Sequence, residues 1–212
     1  MMKQHLLFDF DGTLVDSAPA VLACFSRVLQ AHDLQAVCAV DDSLIGPPLR
    51  QTLATLSGSS DVQLLDAMSA TFKTLYDQQA CLETVAYAGC QAVLRQLRAQ
   101  GVRLYIATNK RHLPTSRILA ALGWEDLFDL VYASDSHPGR YQDKTGMIAA
   151  LLEDAGVAPQ DAIYIGDTAA DGRAAAANGV QFWPVSWGYG HFASVECPLG
   201  SPQQWLERLV SA

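Results

Sequence analysis

Phe8-Asp9-Phe10-Asp11-Gly12-Thr13-Leu14-Val15-Asp16 continues the short apolar run His5-Leu6-Leu7-Phe8 and breaks it at a glycine. A short, unbroken apolar run reads as a strand buried on both faces, and Gly12-Thr13 ends it. Side chains two apart on a strand point the same way, so Asp9 and Asp11 share one side at the strand's carboxyl end. Open α/β sheets bind their ligands at that end. Two neighbouring anions repel, and they call for a divalent cation or a shared proton.

Outward from this strand the chain changes texture twice. Residues 19–32 carry Val21, Leu22, Cys24, Phe25, Val28 and Leu29 at helical spacing, with Ser17, Ala18 and Pro19 as the expected cap and first turn. After Gly46-Pro47-Pro48 two more helices are expected, at 49–56 and 62–76, the second with Val62, Leu65, Met68, Phe72 and Leu75 on one side. From Gly89 onward helices alternate with strands expected at 102–107, 128–133, 162–165 and 180–185. Such alternation means βαβ units. The expected fold class is α/β: a doubly wound, mostly parallel sheet, a Rossmann-like core, with an inserted α-helical cap. The core takes residues 1–16 and 82–212, and the cap 17–81.

Composition bounds the function. A chain of 212 residues, 50% hydrophobic, holds one good core and a smaller second one. A net charge of -8 excludes a sequence-independent nucleic-acid binder and an anionic-membrane binder, both of which need basic surfaces. Small soluble partners are expected, and the oligomeric state stays unassigned. Cys24, Cys38, Cys81, Cys90 and Cys197 form no CxxC pair and read as buried thiols in a reducing cytoplasm. Asp9 and Asp11 interrupt the N-terminal apolar run as no signal-peptide core tolerates, and no stretch reaches transmembrane length.

Three further strand ends carry polar residues: Thr108-Asn109-Lys110, Lys144 at the opening of a helix, and Gly166-Asp167-Thr168 with Asp171. In a doubly wound sheet these loops converge on the edge that carries Asp9 and Asp11. Carboxylates without a histidine cluster suit Mg²⁺, which takes one or two of them plus a phosphate oxygen. The five histidines, at 5, 32, 112, 137 and 191, show no ligand spacing and read as structural or exposed. Lys110 and Arg111 read as surface charges, and Trp187-Gly188-Tyr189-Gly190 as a packed aromatic turn.

These four motifs, in this order and at strand ends, resemble the haloacid dehalogenase-like hydrolase superfamily, in its phosphatase branch with an α-helical cap. The resemblance implies that Asp9 attacks phosphorus to form an aspartyl-phosphate, and that Asp11 protonates the leaving alcohol and then activates water. It implies Mg²⁺ held by Asp9, the Asp11 carbonyl and Asp167, with Asp171 in support. Thr108, Lys144 and the amides near Gly12 would hold phosphoryl oxygens, with Asn109 close by. The loop Gly46-Pro47-Pro48-Leu49 resembles that of phosphoglycolate-phosphatase-like members, with Arg50 as an anion contact to the substrate's remainder. The expected activity is hydrolysis of a small phosphate ester, phosphoglycolate first among candidates. Alternatives are a sugar-phosphate mutase or pyrophosphatase on the same scaffold and, from another class, a non-catalytic phosphate-binding or signalling domain.

Overall fold

The computed structural model describes residues 5–190 and 198–211. Five strands form one parallel sheet in the order β5-β4-β1-β6-β7: β1 (His5–Phe8), β4 (Arg103–Thr108), β5 (Leu130–Ala133), β6 (Ala162–Gly166) and β7 (Gln181–Pro184). β1 lies at the centre, paired with β4 through Phe8 and Ile106 and with β6 through Phe8 and Ile165. Alternation divides its side chains between two packed layers. Leu6 and Phe8 join one cluster, and Leu7 joins Tyr105, Tyr132 and Tyr164 in the other. Burying each of the larger apolar side chains contributes about 1.5–3 kcal/mol, which makes β1 the anchor of the fold.

Helices cover both faces: α4 (Cys90–Ala99), α5 (His112–Leu122), α6 (Lys144–Ala155) and α7 (Ala169–Ala177). Between β1 and α4 stand α1 (Ala18–Ala31), α2 (Leu49–Ser57) and α3 (Val62–Gln78). α1 buries Val21, Cys24, Phe25, Val28 and Leu29, while Leu22 is only half-buried. α3 is capped by the Asp61 carboxylate, which accepts from the Gln63 and Leu64 amides, and it buries Leu65, Met68, Phe72 and Tyr76. Val62, expected on that buried side, is exposed because it opens the helix ahead of the packed stripe.

Four features depart from the sequence reading. β2 (Val15–Asp16) and β3 (Val85–Ala86) pair antiparallel where the chain enters and leaves the helical segment. Two residues are too few to show a period. The Ser17 side chain does not cap α1; it donates instead to the Asp11 carboxylate at 2.5 Å. α8 (Gln203–Ser211) follows the sheet unanticipated, although Trp205, Leu206 and Leu209, all buried, carried its signal. Cys38 is exposed, whereas Cys24, Cys81 and Cys90 are buried as expected; Cys197 and His191 lie outside the described residues. Among the described residues no helix is long and apolar enough to cross a membrane.

Candidate active site

Strand ends and helix starts deliver the four motifs to one place. Asp9 follows β1 with its amide bonded to the Ile165 carbonyl at 2.9 Å, and the Phe10 amide donates to its Oδ1 at 2.7 Å. Its Oδ2 pairs with Lys144 Nζ at 2.9 Å. Lys144, the first residue of α6, also bonds Asp171 Oδ1 at 2.6 Å. Asp171 accepts from the Thr168 amide and hydroxyl through Oδ2, closing a capping box at the start of α7. It is thus both a helix-capping residue and the partner of Lys144.

Asp9, Asp167 and Asp171 are all buried, and a carboxylate oxygen from each lies within 4.8 Å of the other two. Three buried carboxyl groups therefore crowd together beside one ammonium, which bonds two of them, Asp9 and Asp171. Burial, opposed by Lys144 and reinforced by Asp171 and Asp167, pushes the Asp9 carboxyl up to about 8. Burial and the neighbouring Asp171 also raise Asp167, to about 6. The Lys144 ammonium is held well above its ordinary value: Asp171 and Asp9 overcome its desolvation. Such a cluster is short of positive charge, and its hard oxygen donors fit a divalent cation such as Mg²⁺.

The rest of the cradle comes from the loop after β7. The Tyr189 and Gly190 amides donate to Asp167 Oδ2 at 2.8 and 3.3 Å, and the Thr13 hydroxyl donates to Oδ1 at 3.1 Å. Trp187 Nε1 donates to the Thr13 carbonyl at 3.1 Å. The Tyr189 hydroxyl accepts from the Ser17 and Ala18 amides and donates to Asp16 Oδ1 at 2.8 Å. The expected aromatic turn is therefore part of the site's frame. Its glycines were the readable signal: a Cβ on Gly188 would sit 2.3 Å from both Asp167 Cβ and the Gly12 carbonyl oxygen. Gly12 itself has φ +79° and would thrust a Cβ to 2.3 Å from Asp167 Oδ2.

Asp11 lies apart from that cluster. Its Oδ1 accepts from Ser17 at 2.5 Å and from Lys110 Nζ at 2.8 Å. Lys110 is no surface charge: its side chain is only 6% exposed, and Nζ lies 4.8 Å from the centre of the Tyr76 ring on α3. Asp11 raises the Lys110 ammonium despite the cost of burial, so it stays charged. Arg111 is likewise not free; both terminal nitrogens bond the Asp77 carboxylate at the end of α3. Sequence reasoning missed both because a cation after a strand is solvated by default, and only the arrival of α3 buries these two.

Thr108 is buried, with its hydroxyl accepting from the Lys110 amide at 3.1 Å. Asn109 Nδ2 donates to the Gly46 carbonyl at 2.9 Å, tying the β4 loop to the loop before α2. Arg50 pairs with the exposed Asp66 carboxylate and donates to the Val62 carbonyl at 3.3 Å. A cavity of about 390 Å³ brings these parts together: Asp9, Asp11, Thr108 and Asn109 line one side, and Arg50 and Phe72 the other. Lys144, Asp167, Asp171 and Gly12 do not line it.

Comparison with known proteins agrees with this geometry. The model of the haloacid dehalogenase-like hydrolase family matches residues 6–185. The chain is 30% identical over 191 residues to a phosphoglycolate phosphatase of Cereibacter sphaeroides, covering 88% of this chain and 86% of that one. It is 31% identical over 191 residues to the tyrosine-protein kinase PtkA of Mycobacterium tuberculosis, covering 88% of this chain and 63% of that one. A crystal structure of a predicted phosphatase from Clostridium acetobutylicum superposes over the full length of both chains, with a TM-score of 0.88 and 25% identity. Its sheet order, its strand-end carboxylates and a match over most of its length agree: this chain belongs to the haloacid dehalogenase-like hydrolase family.

Proposed function

We propose that this protein is a Mg²⁺-dependent phosphatase that hydrolyses a small phosphate monoester through an aspartyl-phosphate on Asp9, with phosphoglycolate the first substrate to test. The observation that carries the reading is Asp9 itself, a buried carboxylate at the centre of the sheet, paired with Lys144 and facing Asp167 and Asp171. The relatives named phosphoglycolate phosphatase support it. The same reading divides the chain into a cap at 17–81 and a core at 1–16 and 82–212, supported by the β2–β3 pairing at the crossing. It places the enzyme in the cytoplasm.

Mg²⁺ would be held by Asp9, the Asp11 carbonyl and Asp167, with Asp171 in support through Lys144; it supplies charge neutralisation at the phosphoryl group. The Phe10 amide and Lys144 orient the Asp9 carboxylate. An Asp9 oxygen bonds phosphorus as the bond to the leaving oxygen breaks, and the Asp11 carboxyl proton passes to that oxygen. Asp11, now a carboxylate, takes a proton from water as the water oxygen bonds phosphorus and the Asp9–phosphorus bond breaks. Inorganic phosphate leaves, and both aspartates return to their starting forms. Thr108 and Lys144 hold phosphoryl oxygens; the Gly12 amide, expected beside them, donates instead to the Val15 carbonyl at 2.9 Å, and Asn109 ties the β4 loop to the loop before α2. Arg50 is assigned the part of the substrate beyond phosphorus.

The test is phosphate release from phosphoglycolate and p-nitrophenyl phosphate, with and without Mg²⁺. Wild type should release phosphate only with the metal, and Asp9→Asn should lose at least about 10⁴-fold in kcat, as removal of a nucleophile does. Release by Asp9→Asn equal to wild type would falsify the assignment. A phospho-Asp9 that hands its phosphoryl group to a second hydroxyl would mark the mutase alternative, and phosphate release separates the two.

A further inference from the structure

We propose that Lys110 is a positioning residue for Asp11, holding one carboxylate oxygen so that the other is presented for proton transfer. The inference rests on the phosphatase reading above. Lys110 Nζ and the Ser17 hydroxyl both donate to Asp11 Oδ1, at 2.8 and 2.5 Å. Among the described residues no hydrogen bond reaches Oδ2. A carboxylate held by two donors on one oxygen loses its freedom to rotate, and a single acceptor direction is left. Asp11 and Lys110 both line the cavity that Asp9 and Thr108 line, so the pair stands at the space where a phosphate ester would meet Asp9.

Lys110 is itself positioned from the cap side. Its ammonium rests against the face of Tyr76 on α3, and its neighbour Arg111 grips Asp77, the next residue of that helix. Arg117 adds a bond from its guanidinium to the Asp77 carbonyl at 2.7 Å. The end of α3 is therefore fastened to the β4 loop by Lys110 and Arg111 and to α5 by Arg117, and of these three cations Lys110 reaches on to Asp11. This gives the β4 loop a second task beside holding phosphoryl oxygens at Thr108. As the Asp11 proton passes to the leaving oxygen, the carboxylate charge that appears is met by the ammonium already in place. A lysine that served only to fasten α3 would not distinguish one leaving group from another.

The leaving group is thus the readout. p-Nitrophenolate departs without a proton, whereas the alkoxide of benzyl phosphate needs one, and the two esters have similar shapes. The experiment measures kcat/KM for both esters in wild type, Lys110→Met, Lys110→Arg and Ser17→Ala, with Mg²⁺ saturating. Lys110→Met should lose about 100-fold or more on benzyl phosphate, the lower range for general acid catalysis, and less than about tenfold on p-nitrophenyl phosphate. Ser17→Ala should show the same bias more weakly, and Lys110→Arg should restore most of the benzyl phosphate activity. Equal losses on both esters for Lys110→Met and Ser17→Ala, or no loss for either, would overturn the proposal. A wild type without Mg²⁺-dependent release from either ester would sink the phosphatase reading and this inference together. An active wild type with unbiased variants sinks this inference alone.

Discussion

Asp9 and Asp11 stand two residues apart, yet different parts of the molecule hold them. The side chains clustered with Asp9 come from the sheet and the helices that follow it: Lys144 opens α6, and Asp167 and Asp171 follow β6. Asp11 is held by Ser17, at the entry to the helical segment, and by Lys110, which leans on Tyr76 of α3. The first group is set once the sheet forms. The second is complete only when α3 is seated on the β4 loop. Under the proposed mechanism, the contrast separates metal and phosphoryl binding, assigned to the groups at the sheet, from proton transfer, assigned to the aspartate that the helical segment helps to hold.

The largest expected effect breaks the cap side alone. Asp77→Ala leaves the Arg111 guanidinium without its carboxylate in a mostly buried place. Breaking such a pair costs about 3 kcal/mol, a fall in Tm of about 6–12 °C for a chain of this size. Thermal denaturation reads this, and titration of Mg²⁺ should show an unchanged affinity. A large loss of Mg²⁺ affinity in that variant would show that the two parts are not separable.

A smaller effect probes the core side. The Asp9 carboxyl, raised to about 8 chiefly by burial, holds its proton more tightly folded than unfolded. Stability without metal should therefore fall as pH rises from about 4, the unfolded value, towards the folded one. Mg²⁺ competes with that proton, so the thermal shift it gives should be larger near pH 8 than near pH 5. At a hundredfold excess over Kd the stabilisation is about 2.7 kcal/mol. A shift as large near pH 5 would argue against Asp9 as a metal ligand.

The smallest change in stability is expected at Arg50. Its pair with Asp66 is exposed, and such pairs contribute about 0–1 kcal/mol, so Arg50→Ala should leave Tm nearly unchanged. Selectivity should still move: kcat/KM for phosphoglycolate relative to p-nitrophenyl phosphate should fall about tenfold, the value of one charge-assisted bond. An unchanged ratio would remove Arg50 from substrate recognition.

What was legible in the chain follows the same division. The five strands of the sheet could be read because apolar runs and turn residues are local signals. Asp9, Thr108, Asp167 and Asp171 could be placed because each lies at or just beyond a strand end, whereas Lys144 was placed by its position in the motif order of the family the chain resembles. Lys110 could not, since its partner Asp11 lies 99 residues away and its burial depends on Tyr76. The frame that Trp187, Gly188, Tyr189 and Gly190 build around Asp167 was hidden for a similar reason. Backbone amides show no residue type, and only the glycines hinted that another loop passes close by.

The sequence by itself determined the α/β class, the order of the strands along the chain and the carboxylates at their ends, because periodicity and turn chemistry act over a few residues. Tertiary structure alone decided that Asp9 and Asp11 have different neighbours. It also decided that two apparent surface cations are held in ion pairs beneath α3 and that a late loop cradles Asp167. Those outcomes depend on which distant segments meet, and it is the Asp11 carboxylate that keeps the Lys110 ammonium charged against the cost of its burial.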